Sequence, residues 1–248
     1  RRYYRLPDWI GLLRHFANLV KNDEFAYQSY ESKVSGTVNP SDKLPIVASL
    51  IEKDFNEAWF DNKAGVRSDS VDVMNEVARG TSPFKAEIGA YILSLSTIDP
   101  QYEIEVKKLK KISQNNLSGV ITTNYDRFFE SSFDGYKSFV GQDELVFSQL
   151  QGIAEIYKIH GSVENPSSII INSDDYRLFR NKGKYLAAKL MTIFMEYPII
   201  FIGYSISDPD IQAILSDVVE CLPPSKVETL QRRFVFVDYK ASMVEPEV

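Results

Sequence analysis

Two polar groups in this 248-residue chain have the residue types and spacing of a reaction site. The segment TTNYD (residues 122–126) places a carboxamide among hydroxyls and a carboxylate, and His160 follows 36 residues after Asn124. A carboxamide can bind a hydroxyl group or an attacking water, and an imidazole with a pKa near neutrality can act as a general base. Each residue also has a structural interpretation, because Asn124 can cap a helix and His160 can be a half-buried histidine before a glycine turn.

Two further groups have the composition of a ligand site. Gly203, Tyr204 and Ser205 are followed by Asp208, and Asp238 comes after the last apolar run. Asp208 precedes a proline and is a good helix N-cap, while the free N–H groups of a helix start can also bind phosphate or ribose. Asp238 is either a turn residue or an acceptor for ribose hydroxyls.

Short apolar runs precede these groups and predict the strands that position them. The predicted strands cover residues 119–123, 154–159, 168–171, 198–204 and 233–238. Helical patterns lie between or after them, and this alternation predicts an α/β fold with a Rossmann-like parallel sheet and helices on both faces. Ligands of such sheets bind beyond the carboxyl ends of the strands, which is where the polar groups stand.

The first hundred residues predict helices instead. Apolar residues recur at helical spacing over three runs, residues 9–20, 44–60 and 82–96. We predict a single domain over residues 1–248, with a helical module over 21–112 and a Rossmann-like half over 113–248.

Composition excludes several classes of protein and site. The net charge of −6 argues against a nucleic-acid or anionic-membrane binder, and we interpret the basic helix face at 106–111 as solvated surface. The single cysteine, Cys221, cannot form an intrachain disulfide or a cysteine zinc site, and two histidines make no His-rich metal site. No apolar run approaches the length of about 20 residues that spans a bilayer, and the cysteine usage fits the cytoplasm.

The combination of motifs resembles the sirtuin family, and especially the sirtuin-like domains of bacterial antiphage defence proteins. The TTNYD segment stands where sirtuins carry threonine-glutamine-asparagine-isoleucine-aspartate, with Thr123 and Tyr125 replacing glutamine and isoleucine. His160 and Gly161 match the histidine-glycine pair of the family, and residues 203–205 match its glycine-threonine-serine turn. The NSDDY run (172–176) also resembles the defence branch.

The beginning of the chain resembles another sirtuin motif. The LPDW segment (6–9) is similar to the end of glycine-isoleucine-proline-aspartate-phenylalanine, which follows the glycine-rich phosphate loop of sirtuins. The resemblance implies that Pro7, Asp8 and Trp9 border the nucleotide crevice, although the same residues also start a helix. Because no Gly-Ala-Gly motif occurs in the sequence, we expect a fragment of a longer chain that lacks the first strand and this loop.

The resemblance implies an NAD site in which Asn124 and His160 are catalytic. Asp126 would hold the nicotinamide carboxamide, and Ser205 would contact phosphate or ribose. The resemblance extends NAD contact to Pro7, Asp8, Trp9, Thr122, Thr123, Tyr125, Gly161, Gly203, Tyr204, Asp208 and Asp238.

The resemblance also bears on the reaction. Deacylating sirtuins carry a module built on zinc-binding cysteines, which one cysteine cannot form, and the helical module over 21–112 takes its place. We therefore expect an NAD⁺ hydrolase that releases ADP-ribose and nicotinamide as a defence effector, with NAD as substrate and no metal. Two alternatives stay open: an NAD-dependent deacylase or cyclic ADP-ribose-forming enzyme, and a non-catalytic module that senses NAD or ADP-ribose and oligomerises. We expect homo-oligomers formed through the helical module, and control by a sensor domain or partner protein.

Overall fold

The computed structural model describes residues 2–34, 39–146, 148, 152–203 and 208–237, without the side chains of residues 40, 41 and 209. The chain divides into two compact units, Arg1–Gly183 and Lys184–Val248. None of the helices in these described ranges is long and apolar enough to cross a membrane.

The first unit opens with helices, as the periodicity predicts. They span Trp9–Lys21 (α1), Ala26–Glu31 (α2), Pro40–Phe60 (α3), Val71–Ala78 (α4), Pro83–Leu95 (α5) and Glu103–Asn116 (α6). Local chemistry determines where they begin: the Asp8 carboxylate accepts a hydrogen bond from the Gly11 N–H at 2.7 Å, and the Ser70 hydroxyl accepts one from the Val73 N–H.

Three of these helices meet in an aromatic core. Phe16 of α1, Phe55 of α3 and Phe84 of α5 are buried, and their ring centroids lie 5.3 to 5.6 Å apart. Aromatic pairs of this kind contribute about 0.5–1.5 kcal/mol each beyond the burial of their surface. This core anchors α1, whose first residues belong to the candidate site.

A three-stranded parallel sheet follows in the same unit. It consists of Gly119–Thr122 (β1), Lys137–Val140 (β2) and Glu155–Lys158 (β3), in the spatial order β1-β3-β2. The short helix Phe128–Ser132 (α7) connects β1 to β2, and Ser173–Lys182 (α8) follows β3. All four residues of β3 are buried, as expected for the central strand of a parallel sheet.

The second unit contains a separate pair of parallel strands. Its elements are Lys184–Glu196 (α9), Ile199–Ile202 (β4), Pro209–Glu220 (α10), Pro224–Gln231 (α11) and Phe234–Val237 (β5). The Phe201 ring stacks on Phe236 at 4.6 Å, and Phe194 of α9 lies 6.3 Å from Phe201. Aromatic contacts thus join the strands to the helix that precedes them.

The predicted α/β class with parallel strands is confirmed, but the predicted strand over residues 168–171 is wrong. A 3₁₀ turn, Pro166–Ser168, occupies its start, and residues 169–171 join no strand ladder. The N–H of Ile170 donates to the His160 carbonyl at 3.0 Å, and its carbonyl accepts from the Tyr125 hydroxyl. The run is apolar because Ile169 and Ile171 pack into the core, and apolarity alone does not distinguish a strand from a buried loop.

Two other features of the sheet region differ from the sequence pattern. The helical pattern after NSDDY forms two helices, α8 and α9, because the chain turns at Gly183, where a Cβ would lie 2.5 Å from the Phe179 carbonyl oxygen. The strand β2 was not predicted, since its sequence KSFV is short and half polar. The predicted boundaries between a helical module and a Rossmann-like half stay a prediction.

Candidate active site

The first group of candidate residues lies directly after β1. Thr122 is buried and is the last residue of the strand. Its hydroxyl oxygen accepts a hydrogen bond from the backbone N–H of Asn124 at 3.1 Å. This bond turns the chain and presents Thr123 and Asn124, both half-buried, at the carboxyl edge of the sheet. Within the described residues the Asn124 carboxamide makes no hydrogen bond, so its donor and acceptor are available to a ligand.

Asp126, rather than Asn124, accepts a hydrogen bond from the first turn of the following helix, whose N-cap position is occupied by Arg127. One oxygen of its buried carboxylate, Oδ1, accepts a hydrogen bond from the Phe128 N–H at 2.9 Å, and α7 begins at Phe128. The alternative that Asn124 caps this helix is therefore wrong. In the described part of the chain the second carboxylate oxygen, Oδ2, accepts no hydrogen bond.

His160 lies after β3 in an aromatic environment. The residue is only 4% exposed, and its ring meets Tyr176 edge-on at 5.5 Å and Phe179 at 5.9 Å. Its carbonyl accepts a hydrogen bond from the Ile170 N–H. Two rings from α8 thus pack against the imidazole, and the main-chain bond holds the His160 backbone.

The strand register brings Asn124 and His160 to equivalent positions. Thr122 of β1 is paired with Lys158 of β3. Asn124 lies two residues after Thr122, and His160 lies two residues after Lys158. The pairing continues past the strands, since the Ile159 N–H donates to the Thr122 carbonyl at 3.0 Å. Asn124 and His160 therefore both follow the carboxyl ends of neighbouring, hydrogen-bonded strands, at the same edge of the sheet.

The start of α1 reaches the same region through an aromatic stack. Trp9 stacks on Tyr176 with ring centroids 5.9 Å apart, and Tyr176 in turn contacts His160. Pro7 is half-buried, and Asp8 is exposed and serves as the N-cap of α1. Trp9 thus lies one aromatic ring away from His160, while the predicted contact of Pro7, Asp8 and Trp9 with NAD stays a prediction.

In the second unit, two candidates lie at the carboxyl side of β4. Gly203 follows the strand with φ +61°, a conformation that favours glycine, and Asp208 is the N-cap of α10. The Asp208 carboxylate accepts hydrogen bonds from the Asp210 N–H at 2.9 Å and the Ile211 N–H at 3.3 Å, which confirms its predicted capping role. Three further candidates, Tyr204, Ser205 and Asp238, lie outside the described residues.

Comparison with known protein families identifies the domain. A family model described as "SIR2-like domain" matches residues 118–246, which is just over half of the chain and contains the five strands found among the described residues. The chain belongs to the SIR2-like domain family. The predicted sirtuin-like resemblance is thereby confirmed over the half that carries Asn124 and His160.

Several curated relatives match the SIR2-like region. The protein named NAD(+) hydrolase ThsA from Cytobacillus dafuensis is 31% identical over 101 residues, covering 39% of this chain and 20% of the relative. The protein of the same name from Bacillus cereus (strain MSX-D12) is 31% identical over 101 residues, covering 39% and 21%. Defense-associated sirtuin 2 from Bacillus subtilis is 27% identical over 112 residues, covering 43% and 11%. The match thus spans about a fifth of the length of the ThsA relatives and 11% of the length of Defense-associated sirtuin 2.

Tyr176 packs beside the candidate residue His160, and it was not among the site residues assigned from the sequence. It is buried between Trp9 and His160, while the remainder of the NSDDY run organises the start of α8. There, the Asn172 side chain accepts from the Asp175 N–H, and Asp175 pairs with Lys85 of α5 at 2.5 Å. The resemblance of NSDDY to the defence branch was the signal that could have identified this tyrosine.

Tyr125 has a structural role within the SIR2-like site. Its hydroxyl donates to the Ile170 carbonyl at 2.7 Å, and its own carbonyl accepts from the Val163 N–H at 3.0 Å. These bonds tie the loop after β1 to the segments that follow β3. Tyr125 therefore holds two parts of the site together, and the predicted NAD contact of its side chain stays a prediction.

Gly161 is required by the close approach of two chain segments in the SIR2-like site. Its φ is +96°, and a Cβ there would lie 2.3 Å from the Ser168 carbonyl oxygen. We expect Gly161→Ala to lower the free energy of unfolding by at least about 2 kcal/mol, because the positive φ and the main-chain clash add together. Equilibrium unfolding in urea measures the loss.

Gly141→Ala is the matched control for this substitution. Gly141 also has a positive φ, +64°, but nothing lies within 4 Å of the position of its Cβ. In this variant the free energy of unfolding should fall only by the cost of placing alanine at a positive φ, about 1 kcal/mol. Equal losses for the two variants would contradict the role assigned to the Ser168 contact.

Proposed function

We propose that the protein containing this chain hydrolyses NAD⁺ to ADP-ribose and nicotinamide. The observation that carries the proposal is that Asn124 and His160 follow the carboxyl ends of two paired strands of a SIR2-like domain. The names of the ThsA relatives, which state NAD(+) hydrolysis, support the same reaction.

The reaction replaces one bond at the anomeric carbon of the nicotinamide ribose. A water oxygen forms a bond to C1′, the bond from C1′ to the nicotinamide nitrogen breaks, and nicotinamide leaves with the electron pair. The water loses one proton, and His160 accepts it as general base. The products are ADP-ribose, nicotinamide and one proton, so atoms and charge balance.

Asn124 and Asp126 orient the substrate in this proposal. The Asn124 carboxamide has donor and acceptor groups available, and it holds a ribose hydroxyl or the attacking water. Asp126 Oδ1 is occupied by the Phe128 N–H, and Oδ2 accepts from the nicotinamide carboxamide. Trp9 and Tyr176 form an apolar wall beside His160 that limits access of other water.

We further propose that the reaction serves antiphage defence in the cytoplasm. The name of the Bacillus subtilis relative, Defense-associated sirtuin 2, supports this setting. Unregulated hydrolysis would drain the NAD of the producing cell, so the activity is controlled by a sensor domain or partner protein, and the helical module forms homo-oligomers.

The experiment that tests the function measures products directly. The full-length protein is incubated with NAD⁺ in the presence of its activating trigger, and the mixture is resolved by mass spectrometry. We expect equal amounts of nicotinamide and ADP-ribose. Cyclic ADP-ribose as the main product, transfer to an acyl-lysine peptide, or binding of NAD⁺ without turnover would each replace the hydrolase proposal by one of its alternatives.

A further inference from the structure

Lys158 on the central strand is a fully buried cation. Its side chain is 0% exposed, and it lies two residues before His160. Lysine is rarely buried to this extent unless its charge is paired, because removing an ammonium group from water is costly. The interactions that hold this charge therefore indicate what the residue does.

The ammonium group of Lys158 contacts three oxygens. It pairs with Oε1 of Glu130 at 2.8 Å, donates to the Tyr125 carbonyl at 3.2 Å, and donates to the Asp126 carbonyl. An ammonium group has three N–H donors, so each oxygen can receive one. Two of the three are main-chain carbonyls of the β1–α7 loop, residues 123–127, and the third belongs to α7, which follows the loop.

We propose that Lys158 is a positioning residue for NAD⁺ hydrolysis, which fixes the β1–α7 loop so that the Asn124 carboxamide faces the reacting ribose beside His160. The inference rests on the proposed function. The carbonyls that Lys158 holds come directly after Asn124 in the chain, and Lys158 itself is part of the segment that carries His160. One ammonium group thereby links the two chain segments that supply the catalytic residues.

The chemistry of the three oxygens explains why a lysine is present. A carboxylate and two carbonyls converge on one point, which suits a compact cation with three donors. The planar fork of an arginine is larger and directs its donors differently. A neutral side chain would leave the Glu130 carboxylate, whose side chain is only 13% exposed, without its cation.

A purely structural role is the alternative, and a double substitution distinguishes it. Lys158→Met alone would leave a buried carboxylate unpaired and destabilise the fold whatever the loop does. Lys158→Met combined with Glu130→Met removes both charges and fills the space with apolar chains. Such replacements of buried ion pairs often leave the free energy of unfolding unchanged or raise it. We therefore expect the double variant to keep its fold while it loses the contacts between residue 158 and the loop carbonyls.

The kinetic arm compares the full-length wild type with this double variant. We expect the urea midpoint and the KM for NAD⁺ to stay close to wild type, within about threefold for KM, while kcat falls about 10²-fold, because the loop no longer holds Asn124 in place. The control is Lys107→Met on α6, the same change at a side chain that is 77% exposed, and it should leave all three quantities unchanged. A double variant with wild-type kcat would overturn the proposal.

The second arm does not depend on turnover. The hydrogen exchange of three backbone amides measures how firmly the β1–α7 loop is held. The N–H of Asn124 donates to the Thr122 hydroxyl, that of Phe128 to the Asp126 carboxylate, and that of Val163 to the Tyr125 carbonyl. In the double variant their hydrogen exchange should be at least about tenfold faster, with exchange in α1 unchanged. If the wild type does not hydrolyse NAD⁺, the proposed function fails, and these amides still decide whether Lys158 positions the loop.

A single variant covers the case in which the double variant does not fold. Glu130→Gln removes the counter-charge but keeps an amide oxygen at the same position, so the buried ammonium group still has three oxygen acceptors and the loop sequence stays intact. The variant should lose stability, but less than Lys158→Met, which leaves the Glu130 carboxylate without any donor from residue 158. We expect at least a threefold loss of kcat at wild-type KM and faster exchange at Asn124 and Phe128, the effect being smaller because both carbonyl contacts remain. Wild-type exchange at both amides would overturn the positioning role.

Discussion

Replacing His160 with alanine should lower the kcat of NAD⁺ hydrolysis by about 10³-fold, within the range measured for loss of a positioned general base. In the proposed reaction the imidazole takes the proton of the attacking water as the bond from C1′ to nicotinamide breaks. The KM should change by only a few fold, because the contribution of the base is made in the transition state. Steady-state kinetics on the full-length protein with its trigger measures both quantities.

The chain contains a matched control for this experiment. His15 of α1 is the only other histidine, and its ring stacks on Tyr91 at 4.0 Å, with burial lowering its pKa. His15→Gln removes an imidazole from a similar aromatic environment and should leave kcat within about twofold, since no proposed catalytic step involves it. Equal turnover by the wild type and His160→Ala would remove His160 from the mechanism.

Asn124→Ala should produce the second largest loss, a fall in kcat of about 10²-fold. The main chain of Asn124 is held by the turn at Thr122, and the carboxamide has no described hydrogen-bond partner that would compete with a ligand. Loss of one such positioned polar group costs about 10²–10³ in kcat in other enzymes. Thermal unfolding should be nearly unchanged, because the side chain contributes no described hydrogen bond to the fold.

Asn115→Ala provides the comparison for Asn124→Ala. Asn115 is exposed on α6 and its carboxamide donates to the Lys111 carbonyl at 3.2 Å. The variant should keep wild-type kcat and lose a few tenths of a kcal/mol of stability at most. If Asn124→Ala lowers the free energy of unfolding by as much as it raises the activation free energy calculated from kcat, the residue has a structural rather than a catalytic role.

The parts of the site that could be predicted are those determined by short-range chemistry. The polar groups that follow apolar runs located Asn124 and His160 at strand ends, because carboxyl ends of parallel strands share one edge. Asp208 before a proline predicted a helix cap, and the carboxylate makes that bond. In both cases the residues that decide the structure are close together in the sequence.

The parts that could not be predicted depend on partners far along the chain. A lysine inside YKI reads as an ordinary polar residue, and its burial depends on the Glu130 carboxylate, 28 residues earlier, and on the carbonyls of Tyr125 and Asp126. Tyr176 becomes part of the site only because Trp9, from the other end of the first unit, stacks on it. The apolar run at 168–171 appeared to be a strand because its packing, rather than its hydrogen bonding, made it apolar.

A double-mutant cycle on kcat tests most directly whether Asn124 and His160 form one catalytic site. The wild type, Asn124→Ala, His160→Ala and the double variant are compared in full-length protein, with nicotinamide release as the readout. Residues that act as a unit on one bond show strongly non-additive effects. We expect the kcat of the double variant to be at most about threefold lower than that of His160→Ala. A double variant in which the two losses multiply in full, or single variants that retain wild-type turnover, would contradict the joint action of Asn124 and His160.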